Sequence, residues 1–281
     1  MIEKDITTWE EFKTALTERI TENTTYNIKN NLDASNDILT NNIECVTNSD
    51  YEKFFKGNSH AINGITAYGN VTVFHTIQGQ YYNFHLFDIK FTNFMIDSGI
   101  FTNLCHREGN LFENCFFNGV CKYFLDIVTS GRIAFFYKCS LNIRCSRLAS
   151  LNANFDSCYI NITPLQNNNT FSSDVNLLNS YVEGVIKNSF SSSSELTPKL
   201  LGNNVFNCKV IITDYSDSKT YKVNAITNTK ETLINKDRLL QSDGVTPIKN
   251  IENAEKVYFL TDEQMRNKNY IQQNTTFPLY G

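Results

Sequence analysis

Residues 112–163 decide the fold, because three segments within them share one pattern: FENCFFNGVC (112–121), FYKCSLNIRC (136–145) and FDSCYINIT (155–163). Each segment opens with a phenylalanine and reaches a cysteine at its fourth position. Related four-residue phrases begin at Phe91, Leu178 and Val205, so the fourth positions are 94, 115, 139, 158, 181 and 208. Their spacings are 21, 24, 19, 23 and 27 residues, and Val73 stands one step further back. The sequence therefore carries an internal repeat of about 22 residues.

A repeat of this length with uneven insertions predicts an all-β protein, a right-handed parallel β-helix with coils of about 22 residues. Helical repeats run longer, and the L-x-x-L-x-L pattern of leucine-rich repeats is absent. The segments around the phrases, such as FHLFDIKF (84–91) and CYINIT (158–163), are short, β-branched and aromatic. Such segments, broken by Asn, Ser or Gly, are typical of strands. We expect loops of varied length to leave at one corner, at 166–170 and 191–194.

Stacked coils place equivalent residues about 4.8 Å apart, so the repeat also predicts rows of side chains. One row contains Asn118, Asn142 and Asn161, and another contains Cys121 and Cys145. A third row contains Cys115, Cys139, Cys158 and Cys208, with a gap at Tyr181. Buried free cysteine behaves as a small apolar residue, so we expect these rows to serve packing.

Composition excludes several classes of protein. The net charge of -4 argues against a nucleic-acid binder, which needs a basic face. No apolar run reaches 18 residues, so we expect no membrane span, and the N-terminus lacks the pattern of a signal peptide. Without export, the eight cysteines are expected to be free thiols. No CxxC pair occurs and Cys105-His106 is an isolated pair, so we expect no metal site and no cofactor.

The two ends of the chain differ from the repeats. Thr8-Trp9-Glu10-Glu11 is a capping box, and apolar residues at helical spacing follow on one face: Trp9, Phe12, Leu16 and Ile20. Residues 1–22 are thus predicted to be a helix that caps the open end of a β-helix spanning 23–215. A small α+β segment, 216–281, is expected to follow, with a strand at 256–260 and a helix from the capping box at Thr261 through about Gln272.

Two short stretches resemble known proteins. The phrase GNSHAINGI (57–65) resembles the first-coil phrase of pectate-lyase-like β-helix proteins, with Ser59 and Ala61 replacing the usual Gly and Thr. This resemblance covers roughly residues 5–215 and implies coil geometry, so His60 is not a catalytic candidate. The stretch KVYFLTDEQMRNKNYIQQ (256–273) is similar to the endings of structural proteins of phages of low-GC Gram-positive bacteria.

Enzymes of the pectate-lyase-like fold use clustered carboxylates, which directs attention to the acidic residues. Glu113 and Asp156 share one column of the repeat, two coils apart at roughly 9.6 Å, at the edge of the range for inverting hydrolases. The Arg-x-Lys segment Arg266–Lys268 lies outside the predicted coils. Arg132, Arg144 and Arg147 cluster in sequence without a matching acidic row. We therefore assign no catalytic residue.

Histidines and aromatic residues supply the remaining binding candidates. His75, His85 and His106 are spaced 10 and 21 residues apart, so the last two would share a row. A row of two histidines is a weak signal for metal. Tyr81-Tyr82 and Tyr123-Phe124 are candidates for stacking on a sugar, although aromatic residues in this fold are more often core.

The expected function is that of a bacteriophage virion structural protein: a tail, baseplate, fibre or capsid projection. It would be made in the bacterial host cytoplasm, assemble with other virion proteins, form a homotrimer, and engage host cell-surface glycan. We expect a binding or architectural role, with a polysaccharide lyase or hydrolase as the alternative.

Overall fold

The structure, a computed structural model, describes residues 1–46, 51–76, 84–102, 110–126, 133–149, 153–166, 170–172, 175–188, 195–225, 231–252 and 256–277. The N-terminal part forms β1 (Ile2–Ile6), α1 (Trp9–Thr17), β2 (Thr24–Ile28), β3 (Leu32–Asp33), β4 (Ile38–Leu39), β5 (Ile43–Cys45), β6 (Lys53–Lys56), β7 (Ala61–Asn63), β8 (Thr66–Ala67) and β9 (Phe74–Thr76).

The middle part forms β10 (Phe84–Phe87), β11 (Lys90–Thr102), β12 (Asn110–Glu113), β13 (Phe116–Asp126), β14 (Ala134–Tyr137), β15 (Ser140–Ala149), β16 (Ala153–Asp156), β17 (Tyr159–Pro164), β18 (Val175–Leu178) and β19 (Tyr181–Asn188). The last part forms β20 (Glu195–Gly202), β21 (Asn204–Phe206), β22 (Lys209–Ile212), β23 (Tyr221–Ala225), β24 (Thr232–Asn235), β25 (Leu239–Leu240), β26 (Ile251–Glu252), β27 (Val257–Leu260), α2 (Asp262–Arg266) and α3 (Lys268–Asn274).

Parallel pairing joins these strands into two long sheets. Sheet A has eleven strands among the described residues, in the order β1-β2-β6-β10-β12-β14-β16-β18-β20-β23-β26. Sheet B has sixteen, along the path β27-β24-β21-β19-β17-β15-β13-β11-β7-β3 with β4, β5, β8, β9, β22 and β25 paired beside it. From β10 onward the chain passes back and forth between the two sheets. The protein is thus mostly β, with long parallel sheets, as the sequence predicts.

The strand register confirms the repeat in the middle of the chain. Phe112 pairs with Phe136, Phe136 with Phe155, and Phe155 with Leu177, at separations of 24, 19 and 22 residues. Side chains on one strand therefore lie directly beside their equivalents on the next.

Three weaker phrases were placed in the wrong register. Phe91 pairs with Phe117, so the phrase at 91–94 lies in sheet B, and 86–89 is the segment aligned with 112–115. Asp156 pairs with Leu178 and Tyr181 with Val205, which moves the later phrases by one or more residues. Val73 likewise precedes a pairing of Phe74 with Phe101 and does not extend the row. The phrases at Phe91 and Val205 mislead because these two residues lie in strands of sheet B, whereas the strong phrases begin in strands of sheet A.

The core lies between the inner faces of the two sheets. The Phe112 ring of sheet A lies 4.5 Å from Phe136, and Phe136 lies 4.7 Å from Phe155, each pair stacked. From sheet B, Phe117 meets Phe112 edge-on at 6.4 Å. Burying each large ring removes on the order of 150–250 Å² from water, which makes these rows a main source of stability.

Helix α1 covers the N-terminal end of this core. Thr8 and Glu11 form the predicted capping box, and Trp9, Phe12 and Leu16 are buried. The Phe12 ring contacts Phe55 at 5.3 Å and Phe74 at 6.4 Å. The helix is shorter than predicted, since it ends at Thr17, and Ile20 is buried after its end. Strand β1, which the sequence did not predict, precedes the helix and pairs with β2.

The C-terminal segment extends both sheets. β26 pairs with β23, and β27 pairs with β24. Thr261 caps α2 through the predicted box with Gln264. The predicted single helix is interrupted at Asn267, and a second short helix, α3, follows. A small apolar cluster joins the helices to the sheet: Leu233, Leu260, Ile271 and Phe277. The predicted domain limits at residues 22 and 215 stay predictions.

Candidate functional site

From β10 to β20, a left-handed backbone corner separates each strand of sheet A from the following strand of sheet B. The residues at this corner have φ of 50° to 57°: Asp88, Asn114, Lys138, Ser157, Asn179 and Asn203. Asn and Asp tolerate this conformation better than most residues. The phrase at 57–65 forms the first such corner, where Ser59 also has positive φ and its hydroxyl donates to the Asp88 carboxylate at 2.9 Å. These corners explain part of the high asparagine content.

Side chains at the corners bond from coil to coil. Asn114 Nδ2 donates to Asp88 Oδ1 at 3.0 Å, and Asn203 Nδ2 donates to Asn179 Oδ1 at 3.0 Å. Asn179 Nδ2 donates to Asp156 Oδ1 at 2.8 Å. The carboxylates of Asp88 and Asp156 therefore act as acceptors that hold the corner row together.

The predicted column of Glu113 and Asp156 exists in the structure. Glu113 pairs with Tyr137, and Tyr137 pairs with Asp156, which places the two acidic residues two strands apart on sheet A. However, Asp156 Oδ1 also accepts from the Ser157 hydroxyl at 2.9 Å, in addition to Asn179. A general acid or base must exchange its proton with substrate, and this oxygen is committed to structural donors instead.

The row opened by Cys115, Cys139 and Cys158 is present, but its continuation was predicted wrongly. Because Asp156 pairs with Leu178, the residue after Cys158 in the row is Ser180, followed by Asn204. Each of these side chains donates to a carbonyl on an earlier strand of sheet A: Cys139 Sγ to Phe112 at 3.2 Å, Cys158 Sγ to Phe136 at 3.3 Å, and Ser180 Oγ to Phe155 at 3.3 Å. Positions in this row are thus occupied by small side chains that can donate a hydrogen bond. Cys208 is also buried, but it does not belong to this row.

Cys121 and Cys145 pair as predicted and are fully buried. Burial raises the pKa of both thiols, that of Cys145 to about 12, so neither is a ready nucleophile. Among the described residues no three His, Cys, Asp or Glu side chains converge as metal ligands. Cys105-His106 lies outside the described residues.

The predicted asparagine row runs along the outer face of sheet B. Asn118, Asn142 and Asn161 pair in register, and each later amide donates to the earlier one, at 3.0 and 3.2 Å. Asn142 is exposed. Beside this row, the Tyr159 and Tyr181 rings stack at 5.9 Å, and the Tyr159 hydroxyl donates to the Glu183 carboxylate. This face thus presents amides and rings to solvent.

The histidines do not form the predicted row. His85 pairs with Leu111, so it does not align with His106, which lies outside the described residues. The His85 ring forms a cluster with Phe54 at 5.0 Å and Phe87 at 6.1 Å, and burial lowers its pKa. His75 Nδ1 lies 2.9 Å from Glu44 Oε2.

The strand register places one residue of the Tyr123-Phe124 pair beside one residue of the arginine group at 132–147. Tyr123 of β13 pairs with Arg147 of β15, and the Arg147 Cζ lies 6.0 Å from the Tyr123 ring centroid. Phe124 is fully buried and is a core residue. Tyr81-Tyr82, Arg132 and the loop at 191–194 lie outside the described residues. Arg266 lies in α2 and Lys268 in α3, away from the paired strands of the middle region.

Sequence reasoning missed Lys53, which is only 1% exposed. Its ammonium donates to the carbonyls of Ala15, Leu16 and Glu18 at 2.8, 2.9 and 2.7 Å, and so caps the C-terminus of α1. Burial lowers its pKa to about 8. The signal was available in the period of two, since Lys53 and the buried Phe55 point to the same side of β6.

Comparisons with known proteins add little to this description. No protein-family model matches the chain, and no curated protein matches it. Among solved structures, the crystal structure of a "putative immunoglobulin A1 protease from Bacteroides ovatus" aligns with a TM-score of 0.49 and 11% identity, over 97% of this chain and 88% of that one. No activity is carried over from it.

Proposed function

We propose that the coils close into a right-handed parallel β-helix around the aromatic core. Two observations support this architecture. Consecutive strands from β10 to β21 alternate between sheets A and B, and every described pair of strands in those sheets is parallel. Rings from the two sheets also touch, as Phe101 of sheet B does with Phe112 of sheet A at 4.9 Å. Connections between parallel strands are right-handed in nearly all proteins.

For its function, we infer a non-enzymatic virion structural protein of a bacteriophage, in a tail, baseplate, fibre or capsid projection. The observation that carries this inference is that Asp156, one of the two candidate carboxylates, and the corner carboxylate of Asp88 serve as acceptors for scaffold side chains. Asp156 accepts two side-chain donors, and Asp88 accepts from Ser59 and Asn114. Such a surface is suited to rigid presentation of side chains rather than to proton transfer.

The proposed partners are other virion proteins and glycan on the host surface. The similarity of residues 256–273 to phage structural proteins supports the first, and the exposed amides and rings of sheet B support the second. A homotrimer assembled in the host cytoplasm is part of the same proposal. No described helix is long and apolar enough to cross a membrane.

Incubation of the purified protein with cell walls of low-GC Gram-positive bacteria tests the proposal. The pellet is assayed for retained protein, and the supernatant for new reducing ends and unsaturated sugars. We expect retention without release. Retention on walls from a distant Gram-negative species serves as the control for nonspecific adhesion.

Release of sugar would overturn the non-enzymatic assignment and favour the alternative, a polysaccharide lyase or hydrolase. Glu113 and Asp156, which lie two strands apart on sheet A, would then be the candidate catalytic pair. Glu113→Gln should abolish release in that case, because an amide cannot exchange a proton with substrate. If the walls neither retain the protein nor release sugar, host attachment is refuted. The remaining function is then that of a purely architectural subunit.

A further inference from the structure

Two cations flank the ring of Tyr123 on sheet B. The Lys122 ammonium lies 5.2 Å from the ring centroid, and the Arg147 guanidinium carbon lies 6.0 Å from it. Lys122 and Tyr123 are neighbours on β13, whereas Arg147 comes from β15, so only the strand register assembles the group. The Lys122 side chain is exposed, while Tyr123 and Arg147 are half-buried.

Neither cation has a carboxylate within 4 Å among the residues that the structure describes. Arg144, exposed three residues before Arg147 on β15, is likewise without an ion pair there. The acids that follow Lys122 and Arg147 in sequence are engaged with other groups: Asp126 has a partner of its own, and Asp156 Oδ1 accepts from Ser157 and Asn179. On the neighbouring strand β11, Asp97 accepts from the Gly69 amide at 3.1 Å. The group is therefore a local excess of positive charge on a chain whose net charge is -4.

An anion that lies near cations without a carboxylate partner gains favourable Coulomb energy with each of them. The guanidinium presents paired donors that match a phosphate or a carboxylate. The Tyr123 ring offers an apolar surface for the carbon backbone of a sugar or polyol. Charge and shape together fit one kind of occupant, a polymer that alternates anionic groups with a polyol or sugar backbone.

We propose that Lys122, Tyr123 and Arg147 form a binding site for an anionic cell-wall polymer, whose charged groups are phosphodiesters or uronate carboxylates. This inference deepens the proposed host-surface attachment and rests on it for the source of the polymer. The outer face of sheet B, with its exposed amides, continues from this site toward Asn142.

The test measures affinity for three immobilised polymers: a poly(glycerol phosphate) teichoic acid, polygalacturonate, and neutral dextran. The variant Lys122→Gln/Arg147→Gln is compared with Lys29→Gln/Arg266→Gln, which removes one Lys and one Arg from exposed sites elsewhere. Both double variants change the net charge equally. Unfolding midpoints establish that each is folded, and Lys122→Arg/Arg147→Lys keeps both charges at the site.

We expect the wild type to bind at least one anionic polymer and not dextran, and the site variant to lose about tenfold in affinity at 0.1 M salt. The matched control and the charge-keeping variant should change less than about twofold, and 1 M salt, where the screening length is about 3 Å, should weaken binding by the wild type. Preference for phosphate or for carboxylate identifies the class of polymer.

Equal affinities of the two Gln double variants, or no preference of the wild type for either anionic polymer over dextran, would overturn the site. If whole walls still retain the protein in that case, host attachment stands and only this site fails. If the site variant alone loses polymer binding but walls do not retain the wild type, the site stands and host attachment fails.

Discussion

At the scale of single residues, the left-handed corners between sheets A and B explain part of the high asparagine content. Each corner needs φ near +50°, a conformation that costs most L-residues roughly 1–2 kcal/mol. Asn reduces that cost and its amide can bond to the neighbouring corner, as Asn203 does with Asn179 at 3.0 Å. Lys138 differs from the other corner residues because it adopts φ of 53° with a long aliphatic side chain, whose ammonium lies over the Tyr137 ring at 4.7 Å.

Lys138→Asn is expected to stabilise the protein by about 1 kcal/mol, because Asn tolerates the left-handed backbone and can join the corner row. This is the net gain, because the relief of backbone strain, roughly 1–2 kcal/mol, exceeds the lost cation–π contact, which is worth about 0.5–1 kcal/mol at an exposed site. Urea unfolding measures the difference. Lys90→Asn, which removes the same charge from strand β11, is the control and should not stabilise. A loss of stability for Lys138→Asn equal to that of the control would contradict the account.

At the scale of elements, the alternation along each strand separates core from surface. In β14, Phe136 is 1% exposed and stacks between Phe112 and Phe155, whereas its neighbour Phe135 lies half-buried on the outer face of sheet A. The two residues therefore form a matched pair that differs in direction alone.

Phe136→Ala is expected to lower the free energy of unfolding by about 3–5 kcal/mol, since it opens a cavity in a stacked row. Phe135→Ala should cost far less, about 1 kcal/mol, because its ring remains partly in water. Chemical denaturation of both variants measures the contrast. Equal losses would show that the two rings are equally buried in solution and that the assignment of the faces is wrong.

At the scale of the whole molecule, buried thiols make stability depend on pH. Seven free cysteines lie in the described residues, and all are buried. Burial raises the pKa of Cys45 and Cys145 to about 12, and that of Cys115, Cys121, Cys139 and Cys208 above the ordinary value of 9.0. Above pH 9 the unfolded chain releases these protons while the folded chain keeps them. The stabilisation is therefore complete below pH 9 and is lost as the pH rises toward 12.

The unfolding free energy is expected to fall between pH 8 and pH 10 by about 1 kcal/mol for each buried thiol that stays protonated. Denaturation under reducing conditions at both pH values measures this slope. Cys121→Ala/Cys145→Ala lowers stability at every pH, but its fall between the two pH values should be smaller than in the wild type by about 2 kcal/mol. An unchanged slope would mean that these thiols do not stay protonated in the folded state.

Sequence reasoning reached much of the fold and only part of the candidate site. The strong phrases around Cys115, Cys139 and Cys158 predicted the register correctly, because a period near 22 leaves few architectures that can bury such a pattern. The phrases at Phe91 and Val205 gave the wrong register because these residues lie in sheet B, while the strong phrases begin in sheet A, and a short phrase does not show to which sheet it belongs. Lys53 was missed since a lysine on a strand is ordinarily read as solvent-facing.

The sequence by itself determined the all-β class, the parallel repeat, the capping box of α1 and the rows of Asn142 and Cys145. These features depend on local backbone preference and on the period of the sequence pattern, both of which can be recognised in the sequence alone. Tertiary structure alone decided that Ser180 continues the cysteine row, that Lys53 caps α1, and that Arg147 meets Lys122 at the Tyr123 ring. Each of these contacts joins residues about 20 to 40 positions apart. That separation along the sequence depends on the number of residues between one strand and the strand with which it pairs, which varies along the chain.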